Sequence, residues 1–467
     1  MACRSLPLLA LVLIPHILPA QEKSEFQQIL ERLDRLETEN RNLSAEVHAL
    51  RDQLAASRGA PASQQAPPAA SAANAPQPSA TPSAAPSATP LDERVAVNER
   101  RIDELAQTKV ESSQKLPVSL TGMVLFNSFL NGKGNGGFED PLAASSRPSQ
   151  AVGGASLAQS VIGLTFRGPQ IFGGGRVSGS LYMDLWAGSS SSLNHTLRLR
   201  TGTVQIDWKN QTLTFGQDKP LISPRDPTSL AQVAFSPLTG AGNLWLWQPQ
   251  VRFEQRVGFG EDAGLRAQIG VYETGEPSSG LNSEYSGALS PSRPALEGRF
   301  ELWRRLGKSG RIEIAPGFHT STSHVLGFSV PSHLFSLDWF VQPVSKVQIT
   351  GMFFDGQNVA GLGGLQQGFT VLYRTVLPVR AAGGWTQFSY LATKRLTFNV
   401  YSGQESDHPE DLAAGEITRN FVFAGNAIYR LGSNVLLGLE AAQIRTLYLA
   451  QPNRHNNHYD LALGYLF

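Results

Sequence analysis

Arginine and glutamate alternate with apolar residues in several stretches of the sequence. In QVRFEQR, Arg252, Glu254 and Arg256 are two residues apart, and the apolar Val251 and Phe253 flank Arg252. A β-strand points successive side chains to opposite faces, so such a stretch would carry a charged row and an apolar row. The residues on the charged rows are Arg198, Arg200, Arg252, Glu254, Arg256, Arg266, Arg299, Glu301, Arg311 and Glu313. Opposed charged rows around a water-filled lumen would select solutes by charge and size, and Arg keeps its charge at any relevant pH.

Covalent or metal chemistry has weaker candidates. His319 and His324 flank one loop that contains Ser and Thr, which is typical of solvated polar surface. His455 and His458 could ligate a metal, but adjacent donors are missing. The acidic stretch DHPED (407–411) could hold Ca²⁺, although a solvated loop is the preferred interpretation. None of these histidines lies in a G-x-S-x-G or H-E-x-x-H context, so the sequence predicts neither an enzyme nor a cofactor.

The composition also restricts the class of protein. Charged residues make up 16% of the 467-residue chain, below the roughly 25% of an ordinary soluble domain. The mean hydropathy is only −0.17, and no long apolar run follows the first twenty residues. A formal net charge of +1 gives no basic excess, so we expect no nucleic-acid partner.

From Pro117 onwards, short and long connections alternate between the period-two stretches. Turns such as LGSN (431–434) alternate with long connections such as 320–331 and 356–378. This alternation, with about sixteen strands, is typical of an outer-membrane β-barrel. A soluble sandwich also alternates, but one of this size would carry more charge on its outer face. We therefore predict an all-β fold, a transmembrane antiparallel β-barrel over residues 117–467. The pattern around 365–380 fits either strand or loop.

Aromatic residues near the strand ends support this interpretation. Trp245, Trp247, Trp339, Trp385 and Tyr390 are expected on the apolar rows, where aromatic girdles meet the membrane interface.

The last nine residues, YDLALGYLF, alternate up to the terminal Phe467. Every backbone group in lipid must be paired, so the last strand of a barrel has to close on the first. The residues expected to face lipid on this closing strand are Tyr459, Leu461, Leu463, Tyr465 and Phe467. Asp460 and Gly464 are expected to face the lumen.

The third long connection, 218–243, carries charges among four prolines. Its charged residues Asp218, Lys219, Arg225 and Asp226 are predicted to lie at a constriction, because the third external loop of such barrels commonly folds inward.

The region before the barrel divides into four segments. Residues 1–20 have one charge before an apolar run and predict a secretory signal peptide; the alternative is a membrane anchor. Heptads over 21–55 predict a periplasmic coiled coil, with a lone amphipathic helix as the alternative. An Ala/Pro/Ser-rich linker, 56–90, precedes a second short coiled-coil helix, 91–115.

Two central stretches carry a resemblance to a known family. In TLTFGQDKP (212–220) and LWLWQPQVRFE (244–254), an FGQ strand precedes a loop and then a P-Q-V-R strand. This order, together with the coiled coil and spacer, resembles the DcaP-like trimeric porins. The resemblance implies a trimer and uptake of small, often anionic, solutes. The long spacer and the second heptad depart from the family pattern, and the related phosphate-selective porins carry lysine-rich rather than Arg–Glu pores.

These observations predict a passive diffusion porin for small hydrophilic solutes. Its expected partners are outer-membrane lipid, two further copies of the chain and peptidoglycan. The alternative is a barrel that serves mainly as a cell-wall tether through its N-terminal coiled coil. Arg252 and Arg225 predict a mild anion preference, unless the arginines only pair with glutamates to hold the wall.

Overall fold

The computed structural model describes residues 118–136, 139–188, 195–273, 289–290, 294–307, 309–365, 367–373 and 375–467. The predicted signal peptide, both coiled-coil segments and the linker lie outside the described residues. Among the residues described, no helix is long and apolar enough to cross a membrane.

Strands dominate this part of the chain. They are β1 (Val118–Asn131), β2 (Val152–Ser156), β3 (Val161–Gln170), β4 (Arg176–Trp186), β5 (His195–Asp207), β6 (Gln211–Asp218), β7 (Gln248–Gly258), β8 (Ala263–Tyr272), β9 (Leu289–Ser290), β10 (Ala295–Leu306), β11 (Gly310–Val325), β12 (Phe328–Val344), β13 (Val347–Gln357), β14 (Phe369–Leu372), β15 (Thr375–Pro378), β16 (Arg380–Leu391), β17 (Leu396–Asp407), β18 (Ile417–Arg430), β19 (Val435–Tyr448) and β20 (Arg454–Leu466). Short 3-10 turns lie at Phe172–Gly174, Ala360–Leu362 and Pro409–Asp411.

The strands form one closed antiparallel barrel. Eighteen segments belong to the main sheet. β2 and β3 both pair with the same side of β1 and are two pieces of one wall strand. β9 pairs with the end of β11 that extends beyond β10. The wall therefore has 16 strands, which confirms the predicted fold class.

Closure joins the two ends of this region. β20 pairs with β1 from Met123↔Leu466 to Asn131↔His458. The terminal Phe467 exchanges both backbone hydrogen bonds with Gly122, at 3.0 and 3.1 Å. Every residue expected on the outward row of this strand, Tyr459, Leu461, Leu463, Tyr465 and Phe467, is exposed on the outer face. Asp460 is buried on the inner face.

The outer surface of the barrel is apolar, because alternate residues of each strand point outward. Phe253 on β7, Phe300 on β10 and Phe353 on β13 are exposed there. Along each strand, the residues that alternate with the outward ones point inward. Glu301 on β10, for example, is buried on the inner face. The period-two pattern thus separates two chemically different surfaces.

Two predicted long connections differ from the structure. β11 and β12 continue through 320–331 and meet at a two-residue turn, Leu326 and Gly327, with φ of 52° and 81°. Both positive φ values match the twist of a hairpin. Ser, Thr and His fill 320–324, so the apolar alternation fades there while backbone pairing continues, and Val325 and Val330 are buried against Val376 of β15. In the 358–379 connection, a separate hairpin of β14 and β15 forms at the ambiguous stretch.

Three of the five predicted girdle aromatics are not on the outer face. Trp245 and Trp247 belong to the β6–β7 connection, where their rings meet edge to face at 4.9 Å inside the barrel. Trp385 is buried on the inner face of β16. Trp339 and Tyr390 have the phase of the exposed outer residues. The prediction is wrong for the three tryptophans because an apolar ring also suits a covered lumen wall.

One half of the lumen is filled by apolar packing. We call β12, β13 and β16–β19 the filled half. Its inward side chains include Met352 and Phe354, which pack with Ile222 and Leu244 of the β6–β7 connection. Fully burying each of these side chains stabilises the structure by about 1.5–3 kcal/mol.

Candidate solute passage

The β6–β7 connection, residues 219–247, folds into the barrel, and we call it the inner loop. The backbone N–H of Leu221 donates to Glu297 Oε2 on β10 at 2.7 Å. The N–H of Thr228 donates to Gln387 Oε1 on β16 at 2.6 Å. These two anchors already lie on well-separated strands of the wall.

Further anchors carry the inner loop to the closing strands. Ser229 Oγ donates to Glu440 Oε2 on β19 at 2.7 Å. Asn127 Nδ2 on β1 donates to the carbonyl of Leu230 at 2.8 Å. The inner loop, which contains most of the predicted constriction residues, therefore crosses the lumen.

Arg198 and Arg200 on β5 hold the inner loop from the other side. Both pair with the buried Asp184, at 2.6 and 3.1 Å. Arg200 Nη1 also donates to the carbonyl of Val233 at 2.6 Å, and Arg198 donates to that of Ala234. These two predicted pore arginines are thus anchors of the inner loop as well as lumen charges. Asp184 was not predicted, although its phase on β4 would have placed it inward.

A second cluster of charges lies on β8, β10 and β12. Arg299 is almost fully buried and pairs with Asp338 at 2.7 Å and Glu301 at 2.9 Å. Its Nη1 donates to Gln268 Oε1 at 3.1 Å. Desolvation makes an unpaired buried charge costly, so this arginine depends on both carboxylates. Asp338 was missed because no second charge on its strand marked a charged row.

The remaining wall arginines bridge neighbouring carboxylates. Arg266 lies 3.5 Å from Glu254 and 3.6 Å from Glu301. Arg311 pairs with Glu313 on its own strand. The predicted charges of adjacent strands are therefore brought together into one network.

Three guanidinium groups of this network remain open to the lumen. The side-chain exposures are 38% for Arg256, 37% for Arg266 and 44% for Arg311. Arg256 pairs with Glu254 at 2.8 Å. These three cations are therefore accessible to solvent, whereas Arg299 is buried in the wall.

The inner loop adds its own cation to this network. Arg225 pairs with Asp338 at 2.7 Å and with Glu313. Its guanidinium carbon lies 5.5 Å from the centroid of the Phe340 ring. The loop is thereby fixed against β11 and β12.

The other charges predicted at the constriction are also paired. Arg252 lies 2.9 Å from Asp218, the last residue of β6. Lys219 pairs with Asp226 within the inner loop. Burial lowers the pKa of Lys219 to about 8, so its positive charge is present at neutral pH and lost in mildly alkaline solution.

Carboxylates line the opposite side of the lumen. They are Glu139, Asp140, Glu405, Asp407, Glu440 and Asp460, all of them buried. Glu440 accepts hydrogen bonds from Tyr401 at 2.7 Å and Asn426 at 2.9 Å rather than from cations. In the β1–β2 connection, burial and the neighbouring carboxylates raise the pKa of Asp140 well above its usual value. The arginine network therefore lies on one side of the lumen and these buried carboxyl groups on the other.

Two cavities border the inner loop beside the arginines. The larger, about 680 Å³, is lined by Trp186, Arg198, Phe235, Trp245 and other residues of the loops. The smaller, about 210 Å³, is lined by Arg200, Phe235 and Trp245 among others. Because both cavities share Phe235 and Trp245, they lie next to each other along the inner loop. The arrangement can bind and guide a solute by charge.

The metal candidates have other partners. His319 is buried and bonds Glu297 at 2.9 Å, so the prediction of a solvated surface histidine is wrong. Glu410 and Asp411 pair with Arg380 at 2.9 and 2.7 Å. That arginine holds the pKa of Asp411 below its usual value. In the described part of the chain, no group of three or more His, Cys, Asp or Glu could hold a metal ion.

The barrel is closed, its outer surface is apolar and its lumen is charged. With these features, the chain shares the fold of outer-membrane channels. The outer membrane channel DcaP of Acinetobacter baumannii superposes with a TM-score of 0.62 at 16% identity, covering 75% of this chain and 97% of that one. The anion-selective porin from Comamonas acidovorans superposes with a TM-score of 0.51 at 12% identity, covering 75% and 99%.

The likeness to DcaP-type channels inferred from the two central stretches is confirmed at the level of the fold. No protein-family model matches the chain, and no curated protein sequence does.

Proposed function

We propose that the protein is a passive diffusion channel of a bacterial outer membrane for small hydrophilic solutes. The observation that carries the proposal is the closed barrel of 16 strands whose lumen is charged and crossed by the inner loop. A packed soluble barrel would fill its interior with apolar side chains, whereas this barrel keeps cavities beside the inner loop, with Arg198 lining one and Arg200 the other.

The exposed apolar outer face supports a location in lipid. Phe353 and Leu463, for example, are 44% and 46% exposed on the outer face. Lipid tails would cover them at no desolvation cost. β1 begins at the end of the barrel that carries the short turns, so we propose that the chain enters from the periplasm. Assembly into a trimer is proposed by analogy with porins of this fold.

The finer proposal is a mild preference for anionic solutes. Arg256, Arg266 and Arg311 expose their guanidinium groups along the passage, and the acidic groups opposite are buried among amides and hydroxyls. Buried carboxyl groups with little access to solvent contribute less to the field felt by an ion than exposed guanidinium groups. The ion pairs with Glu254, Glu301 and Glu313 weaken this preference and keep it mild.

Planar-bilayer recording of the purified full-length protein tests both the channel function and the anion preference. We expect stable ohmic conductance steps and, in a salt gradient, a reversal potential of the sign that anions give. Salt screens the field over roughly 10 Å at 0.1 M, so the preference should be larger at low salt. An absence of conductance from correctly folded protein would refute the channel. A reversal potential of cation sign would refute the anion preference alone.

A further inference from the structure

The wall strand made of β2 and β3 is interrupted next to the inner loop. Residue Met123 of β1 pairs with Val161, and Asn127 pairs with Ser156. Four steps on β1 therefore oppose five steps on the other strand, so the interruption contains one extra residue, a β-bulge.

The bulge changes the direction of the side chains. Ala158, Gln159 and Ser160 are three consecutive buried residues, with exposures of 1%, 1% and 7%. A regular strand would point alternate residues outward. Bulges commonly re-aim a side chain beside a functional site. Here the extra residue allows Gln159 to point into the lumen.

The Gln159 amide is fully used by loops inside the barrel. Its Oε1 accepts from the N–H groups of Val233 at 2.6 Å and Ala234 at 3.0 Å. Its Nε2 donates to the carbonyl of Ala231 at 2.7 Å and to Asp140 Oδ2 at 3.2 Å. A carboxamide has two donors and two acceptor sites, and all four are satisfied.

The three backbone groups belong to the segment of the inner loop that lines the smaller cavity. Val233 and Phe235 lie on its wall, facing Arg200. We propose that Gln159 is the positioning residue that holds residues 231–234 of the inner loop at one place in the lumen and so fixes the width of the passage. This inference rests on the proposed channel function and adds a determinant of its size limit.

Without this amide, two buried N–H groups and one carbonyl would lose their partner. Buried backbone groups without a partner are strongly disfavoured, so the segment must move until water or other groups replace the bonds. The passage would then fluctuate between widths. The barrel wall would stay closed, because the pairing of β1 with β20 does not involve Gln159.

The test compares the full-length wild type with Gln159→Ala in planar bilayers. We expect open-channel current noise to rise about threefold, with frequent partial closures, because a released loop moves on the microsecond to millisecond scale. We also expect chymotrypsin to cut the folded Gln159→Ala variant after Phe235. The folded wild type should resist cleavage at this bond. Wild-type noise together with wild-type resistance to chymotrypsin would overturn the proposal.

Ser160→Ala is the matched control. Ser160 lies in the same bulge, but its hydroxyl bonds only the backbone of Leu125 in the wall, at 3.0 and 3.3 Å. We expect wild-type noise and protease resistance from this variant. Equal disturbance by both variants would show that the bulge, and not the Gln159 clamp, matters, and would overturn the proposal.

Two further variants test the proposal if Gln159→Ala folds poorly. Gln159→Met keeps the side-chain length without polar atoms, and we expect it to behave like Gln159→Ala. Gln159→Glu keeps the acceptors for Val233 and Ala234, so its noise should be intermediate. Wild-type behaviour of Gln159→Met would refute the clamp. If the wild type does not conduct at all, the channel proposal fails, while the chymotrypsin comparison still tests the clamp.

Discussion

Two halves of the wall share the same alternating strand pattern but carry different inward side chains. We call β5–β8 with β10 and β11 the arginine half, and the other is the filled half, β12, β13 and β16–β19. In the arginine half, inward positions carry charges such as Arg266 and Arg311, which are partly open to the lumen. In the filled half, inward positions carry Met352, Phe354 and Trp385, which are covered by the loops.

This difference gives the proposed passage an off-centre position in the barrel. An inward apolar row cannot remain in contact with water without cost, so it requires a cover. The inner loop supplies Ile222 and Leu244, and the 358–379 connection supplies Leu362. Leu246 donates its N–H to the carbonyl of Leu362 at 3.2 Å, so the two covers also brace each other. The proposed passage therefore lies towards the charged side.

The largest effect on stability is expected from a substitution that removes packing in the filled half. Phe354→Ala should lower the free energy of unfolding by about 3–5 kcal/mol, because it leaves a cavity under the inner loop. Phe353→Ala is the matched control on the same strand, where lipid can fill the space and the loss should be about half as large. Urea unfolding of the lipid-embedded protein, followed by Trp fluorescence, measures both. Equal losses from the two variants would contradict the tight packing of the filled half.

A moderate effect is expected from the arginine half. Replacing Arg225 and Arg252 by Ala removes the paired cation of Asp218 and one of the two cations at Glu313 and at Asp338, which keep Arg311 and Arg299. We expect the anion-to-cation permeability ratio to fall roughly twofold or more, because local charge sets ion occupancy in a narrow pore. Reversal potentials in a salt gradient provide the measurement.

The control for this double variant is Arg445→Ala, since that exposed residue bonds Gln443 on its own strand. Its reversal potential should match the wild type. An unchanged reversal potential in the Arg225 and Arg252 double variant would mean that those arginines hold the wall and do not determine selectivity.

The smallest effect is a pH dependence of the same preference. The pKa of Lys219 is lowered to about 8, so its positive charge is complete at pH 6 and lost as the pH rises through 8. Anion preference should therefore weaken slightly between pH 7 and 9. In Lys219→Arg the charge persists at pH 9, and the step should vanish. A step of equal size in this variant would assign the titration to another group.

Much of the fold could be predicted from the sequence because strand alternation is a local property. The two rows of QVRFEQR have the predicted phase in β7, where Phe253 is exposed outward and Arg252 contacts Asp218 inside. The terminal alternation likewise indicated a closing strand, and β20 does pair with β1. Predictions that used composition alone were less accurate. The polar stretch 320–331 is strand rather than loop, and Trp245 and Trp247 lie inside the barrel.

The sequence by itself determined the barrel, the outward apolar rows and the inward phase of most charges, because each depends on neighbours one or two residues apart. Only the tertiary structure decided which partner each charge has and which half of the lumen is filled. Asn127 donates to Asp460, 333 residues away, at 3.1 Å. Gln159 reaches residues 72 to 75 positions further along the chain. Closing the sheet and folding the inner loop bring such residues together, and a pattern with a period of two carries no information about contacts across the lumen.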